Sequence, residues 1–129
     1  MDKSKRPLLD EFGEALMTHV RDDALSFLQR LISGKMADAT SQELYSQIET
    51  LDPARADLVG RLLVSAVDAG IVRFLHFMDE FEMELVFQCR SGEKVNVCGI
   101  SDGLAGELLT KDGWIVKFSR FRDRIRTEA

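Results

Sequence analysis

The chain is poor in the residues that most often perform chemistry. Its 129 residues include only two histidines and two cysteines. Neither Cys89 nor Cys98 belongs to a CxxC pair or lies at zinc-ligand spacing from a histidine, so the sequence predicts no zinc site. No GxSxG, Walker A or GxGxxG sequence occurs, which excludes the most common hydrolase, phosphate-binding and dinucleotide-binding motifs. We therefore expect no cofactor and no metal.

Long apolar runs are also missing. No stretch of 18 apolar residues is present, so no membrane span is expected. The first seven residues include four charged side chains and no apolar segment follows them, which does not fit a secretory signal peptide. Two cysteines without a disulfide framework are typical of a reducing cytosol. The sequence thus predicts a cytoplasmic protein.

Positive charge is scarce over most of the chain. The net charge is −5, although residues 117–129 carry five basic and two acidic side chains. That segment contributes +3, so the rest of the chain carries −8. An acidic body argues against binding to nucleic acid or to an anionic membrane. We expect the basic tail, 120–129, to pair mainly with the chain's own acids.

The first 80 residues have helical apolar spacing. A helix is predicted from about Leu8 to Ser33, and Gly34 ends it. Thr40 and Glu43 form a capping box at the start of a short second helix. A third helix begins at Asp52-Pro53 and keeps one apolar phase to about Met78. Gly70 falls within that phase, which predicts a close helix–helix contact at this glycine.

The last third of the chain contains three short loops with glycine in third position. They are 90–92, 101–103 and 111–113, and apolar runs separate them as in a β-meander. The alternation around the first loop places Phe87 opposite Val95, since a one-residue slip would reverse the faces. The middle connection is open between a strand at Leu104 and a helical turn through Leu109.

These patterns predict an α+β domain over residues 1–129. Three or four N-terminal helices, within about 7–80, would pack on a C-terminal antiparallel meander of about four strands, within about 82–120. The tail 120–129 would follow the last strand.

One group of acids stands at the predicted junction between helix and sheet. Four carboxylates in six residues could perform acid–base chemistry, but they more commonly form a solvated corner or attract a basic partner. Two His–acid pairs at i,i+4 spacing could in principle ligate a metal, and we interpret them as surface pairs. The predicted partner-binding acids are Asp79, Glu80, Glu82 and Glu84.

Apolar residues occupy both faces of the predicted sheet, whereas one helical layer covers a single face. The uncovered face, around Trp114, Val116 and Phe118, is therefore expected to meet a partner protein or a second copy of the chain in a homodimer. The sequence predicts a non-enzymatic protein-binding domain, and its small size and acidic charge suggest, by analogy, an immunity or antitoxin protein that neutralises a partner. The alternative is a small enzyme or ligand-binding protein with a pocket between helices and sheet.

Overall fold

The computed structural model describes residues 3–128, so Met1, Asp2 and Ala129 lie outside it. The described chain is mostly helical. After a 3-10 turn at Lys3–Lys5, the helices are α1 (Arg6–Leu16), α2 (Asp23–Ile32), α3 (Ala39–Ile48), α4 (Pro53–Glu80), α5 (Val97–Ile100), α6 (Leu104–Leu109) and α7 (Trp114–Phe118), with strands β1 (Val86–Gln88) and β2 (Lys94–Asn96) before α5.

The first predicted helix is confirmed as one continuous helical segment. A π-helical stretch, Met17–Asp22, joins α1 to α2 without a break. Pro7 lies in the first turn of α1, where its missing N–H has no intrahelical partner to lose. The segment ends before Gly34, whose φ of +74° is the left-handed conformation that glycine adopts without strain.

Side-chain caps begin the next two helices. The carboxylate of Asp38 accepts a hydrogen bond of 3.0 Å from the Ser41 N–H, and hydrogen bonding to the Ser41 side chain and to this N–H holds the pKa of Asp38 below its ordinary value. The predicted capping box at Thr40 and Glu43 is therefore wrong, because α3 begins before Thr40. Asp52 caps α4 as predicted, accepting 2.9 Å from the N–H of Arg55.

The first predicted hairpin is confirmed in its register. Phe87 lies opposite Val95 in the antiparallel pair formed by β1 and β2. The Cys89 N–H donates to the Glu93 carbonyl at 2.8 Å, which leaves three residues in the loop. Gly92 occupies its third position with φ of +89°.

The four-strand meander is wrong. The described residues form a single sheet of two strands, and α6 and α7 stand where the last hairpin was predicted. Trp114 and Phe118 are four residues apart. This spacing places them on one face of a helix, and it would equally place them on one face of a strand. Leu104–Leu109 is rich in Leu, Ala and Glu, which favour helix over strand. The helical alternative for this segment is the one observed.

The core has two connected parts. The larger joins α1, the inner face of α4, the hairpin and α5–α7, and Trp114 lies within it. The smaller joins α2, the first half of α4 and the tail, where Ile125 is buried. At Gly60 the tail backbone comes so close that a Cβ would collide with the carbonyl oxygen of Ile125. Glycine at this position therefore allows the tail to lie against α4.

A buried arginine connects the π-helical stretch to the tail. Arg21 is fully buried, and all five of its N–H groups donate. Two reach the carboxylate of Asp68 on α4, at 2.7 and 3.2 Å. The others reach the Ser119 hydroxyl at 2.7 Å and the carbonyls of Phe121 and Arg122 at 2.5 and 2.7 Å.

The neighbouring carboxylate completes this buried network. Asp22 accepts from the Ser119 hydroxyl at 2.5 Å and from the backbone N–H of Arg120 at 3.1 Å. Consecutive residues of one helix thus bind the same tail segment, one as a donor and the other as an acceptor. The network fixes residues 119–122 against the helices.

Candidate functional site

The outer face of α4 carries large apolar side chains in contact with solvent. Leu62 is 59% exposed and Phe74 is 58% exposed, although both lie in the middle of the longest helix. The residues on this face follow steps of four and three, which keeps them within about 120° of the helix circumference. We call this set, together with Phe81 directly after the helix, the outer stripe: Leu62, Ala66, Gly70, Phe74, Phe77 and Phe81.

The outer stripe borders an apolar groove of about 410 Å³ between α4 and the α1–π segment. Phe12, Leu16 and Val20 form its far wall, and Phe74 stands at its near edge. Gly70 forms part of the floor. A Cβ built there meets no described atom within 4 Å beyond its own helix backbone, so the close contact predicted at Gly70 is wrong within a single copy of the chain.

The acidic residues predicted as a binding site lie at the C-terminal end of the stripe. We call residues 79–84 the acidic corner. Glu80, Glu82 and Glu84 are exposed, and exposed Phe81 and Met83 stand between them. The ring of Phe81 lies 5.1 Å from that of Phe77, which makes the stripe and the corner one continuous surface.

Asp79 has a different position. Its carboxylate accepts from the backbone N–H groups of Leu104 and Ala105 at 3.0 and 3.1 Å. These are donors at the start of α6, so Asp79 caps α6 from another helix. Its part in the structure is to hold α6 on α4.

The residues predicted as an apolar sheet face are not brought together with the acidic corner. Trp114 is 1% exposed, with its ring 5.7 Å from that of Phe12 and its indole N–H donating to Asp10 at 3.1 Å. Phe118 is half-buried and Val116 is exposed on α7. Because these residues form a helix and not a strand, the prediction of an uncovered sheet face no longer has a basis.

The basic tail is bound internally. Arg124 contacts Asp57 at 2.8 Å and Asp123 at 3.1 Å, and the hydrogen bonds that its guanidinium donates to Asp123 raise the pKa of Arg124. Arg122 donates to carbonyls at the end of α7. Pairing of tail arginines with the chain's own acids is thus confirmed for Arg120, which lies 3.8 Å from Asp22, and for Arg124.

The candidate chemical groups are dispersed. Across residues 3–128 no three His, Cys, Asp or Glu side chains are close enough to hold a metal ion. His19 and His76 are exposed on separate helices. Burial raises the pKa of the Cys89 and Cys98 thiols, which disfavours the nucleophilic thiolate form.

Sequence reasoning missed the outer stripe for an identifiable reason. The single apolar phase predicted for this helix does not separate Leu62 and Phe74 from Ile71 and Leu75. The apolar residues of this helix in fact cover more than one face, and only the one bearing Val64, Ile71, Leu75 and Met78 is buried. The apolar residues of α4 cover a wider arc of the helix than one packed face needs, and this width could have indicated a second, exposed apolar face.

Comparison with known proteins identifies no relative, since no family model, no curated protein and no solved structure matches the chain. Within the described part, no helix combines the length and the apolar character needed to cross a membrane.

Proposed function

We propose that the chain is a non-enzymatic protein-binding domain, and that the outer stripe with the acidic corner is its binding surface. The exposure of Leu62, Phe74 and Phe77 along one helix face carries this proposal. Scattered exposed apolar residues are ordinary, whereas a continuous stripe beside an apolar groove is typical of interaction sites.

The shape and charge of this surface define the partner that fits it. A straight groove beside a helix accepts an amphipathic helix, whose small and aliphatic side chains would lie over Gly70. Glu80, Glu82 and Glu84 at one end favour lysine or arginine at the corresponding end of that helix. The proposed partner is therefore a protein helix with an apolar face and a basic end.

Covering such a helix would block whatever that helix does. This is how we propose that the domain neutralises its partner, in the manner of an immunity or antitoxin protein. Two shielded free thiols fit a reducing compartment, and we propose that the domain works in the cytoplasm.

A designed peptide tests the proposal. The probe is a fluorescein-labelled amphipathic helix with Leu and Ala on one face and Arg at one end, and binding is read by fluorescence anisotropy. We expect saturable binding that Phe74→Glu weakens about tenfold or more, since truncated aromatic anchors often cost 2 kcal/mol. Glu82→Lys should weaken binding less, and added salt should reduce the difference.

The matched control is Leu44→Glu, because Leu44 is a similarly exposed apolar residue on α3, outside the outer stripe. This variant should bind as the wild type does. Equal binding of a scrambled peptide, or no effect of Phe74→Glu, would refute the proposal.

A further inference from the structure

We propose that a second copy of this chain covers the outer stripe when no other partner does, with the two α4 helices antiparallel. This inference rests on the proposed function, because it takes the outer stripe to be a binding surface and adds how that surface is regulated. The two-fold axis would pass near residue 68.

The outer stripe is complementary to itself in that arrangement. Across a two-fold axis, when residue i faces residue j, j also faces i. Ala66 then faces Gly70, so the two helices can approach closely where both side chains are small. Leu62 and Phe74 lie at the same height along the pair, which sets the aliphatic end of one stripe beside the aromatic end of the other. A parallel pair would instead place Phe74 against Phe74.

The charges of α4 favour the same orientation. Two exposed basic residues, Arg55 and Arg61, lie in its first half, and a third, Arg73, lies in its second half. The acidic corner begins at its last turn. In the monomer the guanidinium of Arg55 contacts the carboxylate of Asp52 at 2.5 Å. Antiparallel pairing brings Arg55 beside Glu80 and the ring of Phe81, which offers an ion pair and a cation–π contact. A parallel pair would oppose one acidic corner to the other.

The area available makes this contact a weak one. A fully buried aromatic side chain removes about 150–250 Å² from water, so the half-exposed Leu62, Phe74, Phe77 and Phe81 contribute about 400 Å² per copy. A standard interface buries about 800 Å² per partner. With its neighbours included, the stripe forms a small interface that a better-fitting helix can displace. The homodimer therefore competes with the partner helix for the outer stripe and covers this surface when the partner is absent.

Sedimentation equilibrium over a range of protein concentrations tests the inference. We expect the wild type to shift reversibly from monomer to dimer, and Gly70→Gln to stay monomeric because the new side chain separates the helices at their crossing. The monomer has open space at this position. The matched control is Gly106→Gln, another helical glycine with open space, on α6 and outside the stripe, which should dimerise normally.

Charge reversal tests the orientation. Arg55→Glu and Glu80→Arg should each weaken dimerisation, and the combined variant should restore it, because each copy then supplies both halves of the reversed pair. In a parallel dimer the combination would restore nothing. Absence of rescue would overturn the antiparallel arrangement.

Failure of this inference can be told apart from failure of the proposed function. A wild type that stays monomeric at every concentration, or a dimer that Gly70→Gln leaves intact, would overturn self-pairing while the peptide binding of the monomer still stands. If the protein dimerises as expected but the amphipathic peptide neither binds nor dissociates the dimer, the proposed function fails instead. Dissociation by the peptide would support both.

Discussion

Replacing Arg21 by methionine should destabilise the protein more than any single surface change. Methionine keeps much of the side-chain volume, so the main loss is the charge and the five hydrogen bonds. Asp68, Ser119 and the carbonyls of Phe121 and Arg122 would lose their donor in a buried site. Leaving a buried charge without its partner in this way lowers the free energy of unfolding by about 3–5 kcal/mol.

The lower part of that range is expected here. The Asp68 side chain is 19% exposed, so water can partly solvate its carboxylate when Arg21 is gone. Even about 3 kcal/mol is a large fraction of the 5–15 kcal/mol by which domains of this kind are stable. Arg21→Lys keeps the charge but loses the planar fork, and should cost about 1–3 kcal/mol.

Urea unfolding followed by circular dichroism measures these losses from the shift in midpoint at constant slope. The double variant Arg21→Met/Asp68→Leu should recover part of the stability, because it removes the carboxylate that Arg21→Met leaves unpaired. As a second readout, trypsin should cleave at the tail arginines sooner in Arg21→Met. A loss below about 1 kcal/mol, with an unchanged cleavage rate, would show that the network does not hold the tail.

Three further changes have directions that follow from the structure. Gly70→Ala should stabilise the monomer, at dilutions where no dimer forms, by up to about 1 kcal/mol in urea unfolding, because a Cβ meets no described atom there and alanine is the better helix former; a loss would indicate a packing contact within the chain. Gly60→Ala should destabilise it in the same assay, because its Cβ would collide with the carbonyl of Ile125. Thiol titration should count two free thiols after unfolding without reductant. In the native protein, Cys89 and Cys98 should react slowly at neutral pH and faster as the pH rises, because burial raises the pKa of both thiols. Fast reaction of the native protein at neutral pH would contradict this.

The parts of the fold that local chemistry determines could be predicted. Proline at a first helical turn, aspartate at an N-cap and glycine with positive φ each act within a few residues, so α1, the start of α4 and the first hairpin were recognisable. The error at Thr40 was also local, because Asp38 offered a competing cap two residues earlier.

The last third of the chain could not be predicted in this way. Short apolar segments such as Trp114–Phe118 fit a strand and a helical turn equally well in their periodicity. Contacts distant in sequence decide between them: Asp79 caps α6, and Trp114 packs over Gly13 of α1. Such contacts leave no local pattern.

The candidate surface was predictable only in part. The exposed acids of the corner were identified from their density alone. The outer stripe was not, because Leu62 and Phe74 look identical in sequence to core residues of the same helix. Both faces of α4 carry apolar residues, and the elements that pack around the helix decide which face stays exposed. The sequence predicted a four-stranded sheet there, so it predicted the wrong set of packing elements.

The contact between Arg21 and the tail also determines when the domain can fold during its synthesis. The arginine leaves the ribosome about a hundred residues before the carbonyls of Phe121 and Arg122 that it binds. During that interval the nascent helices have a guanidinium that must stay in water, so the π-helical stretch cannot yet be buried. Since domains of this size usually fold in a single cooperative step, completion of the core must wait for residue 122. The stability of the helices that are made first thus depends on a segment that is made about a hundred residues later.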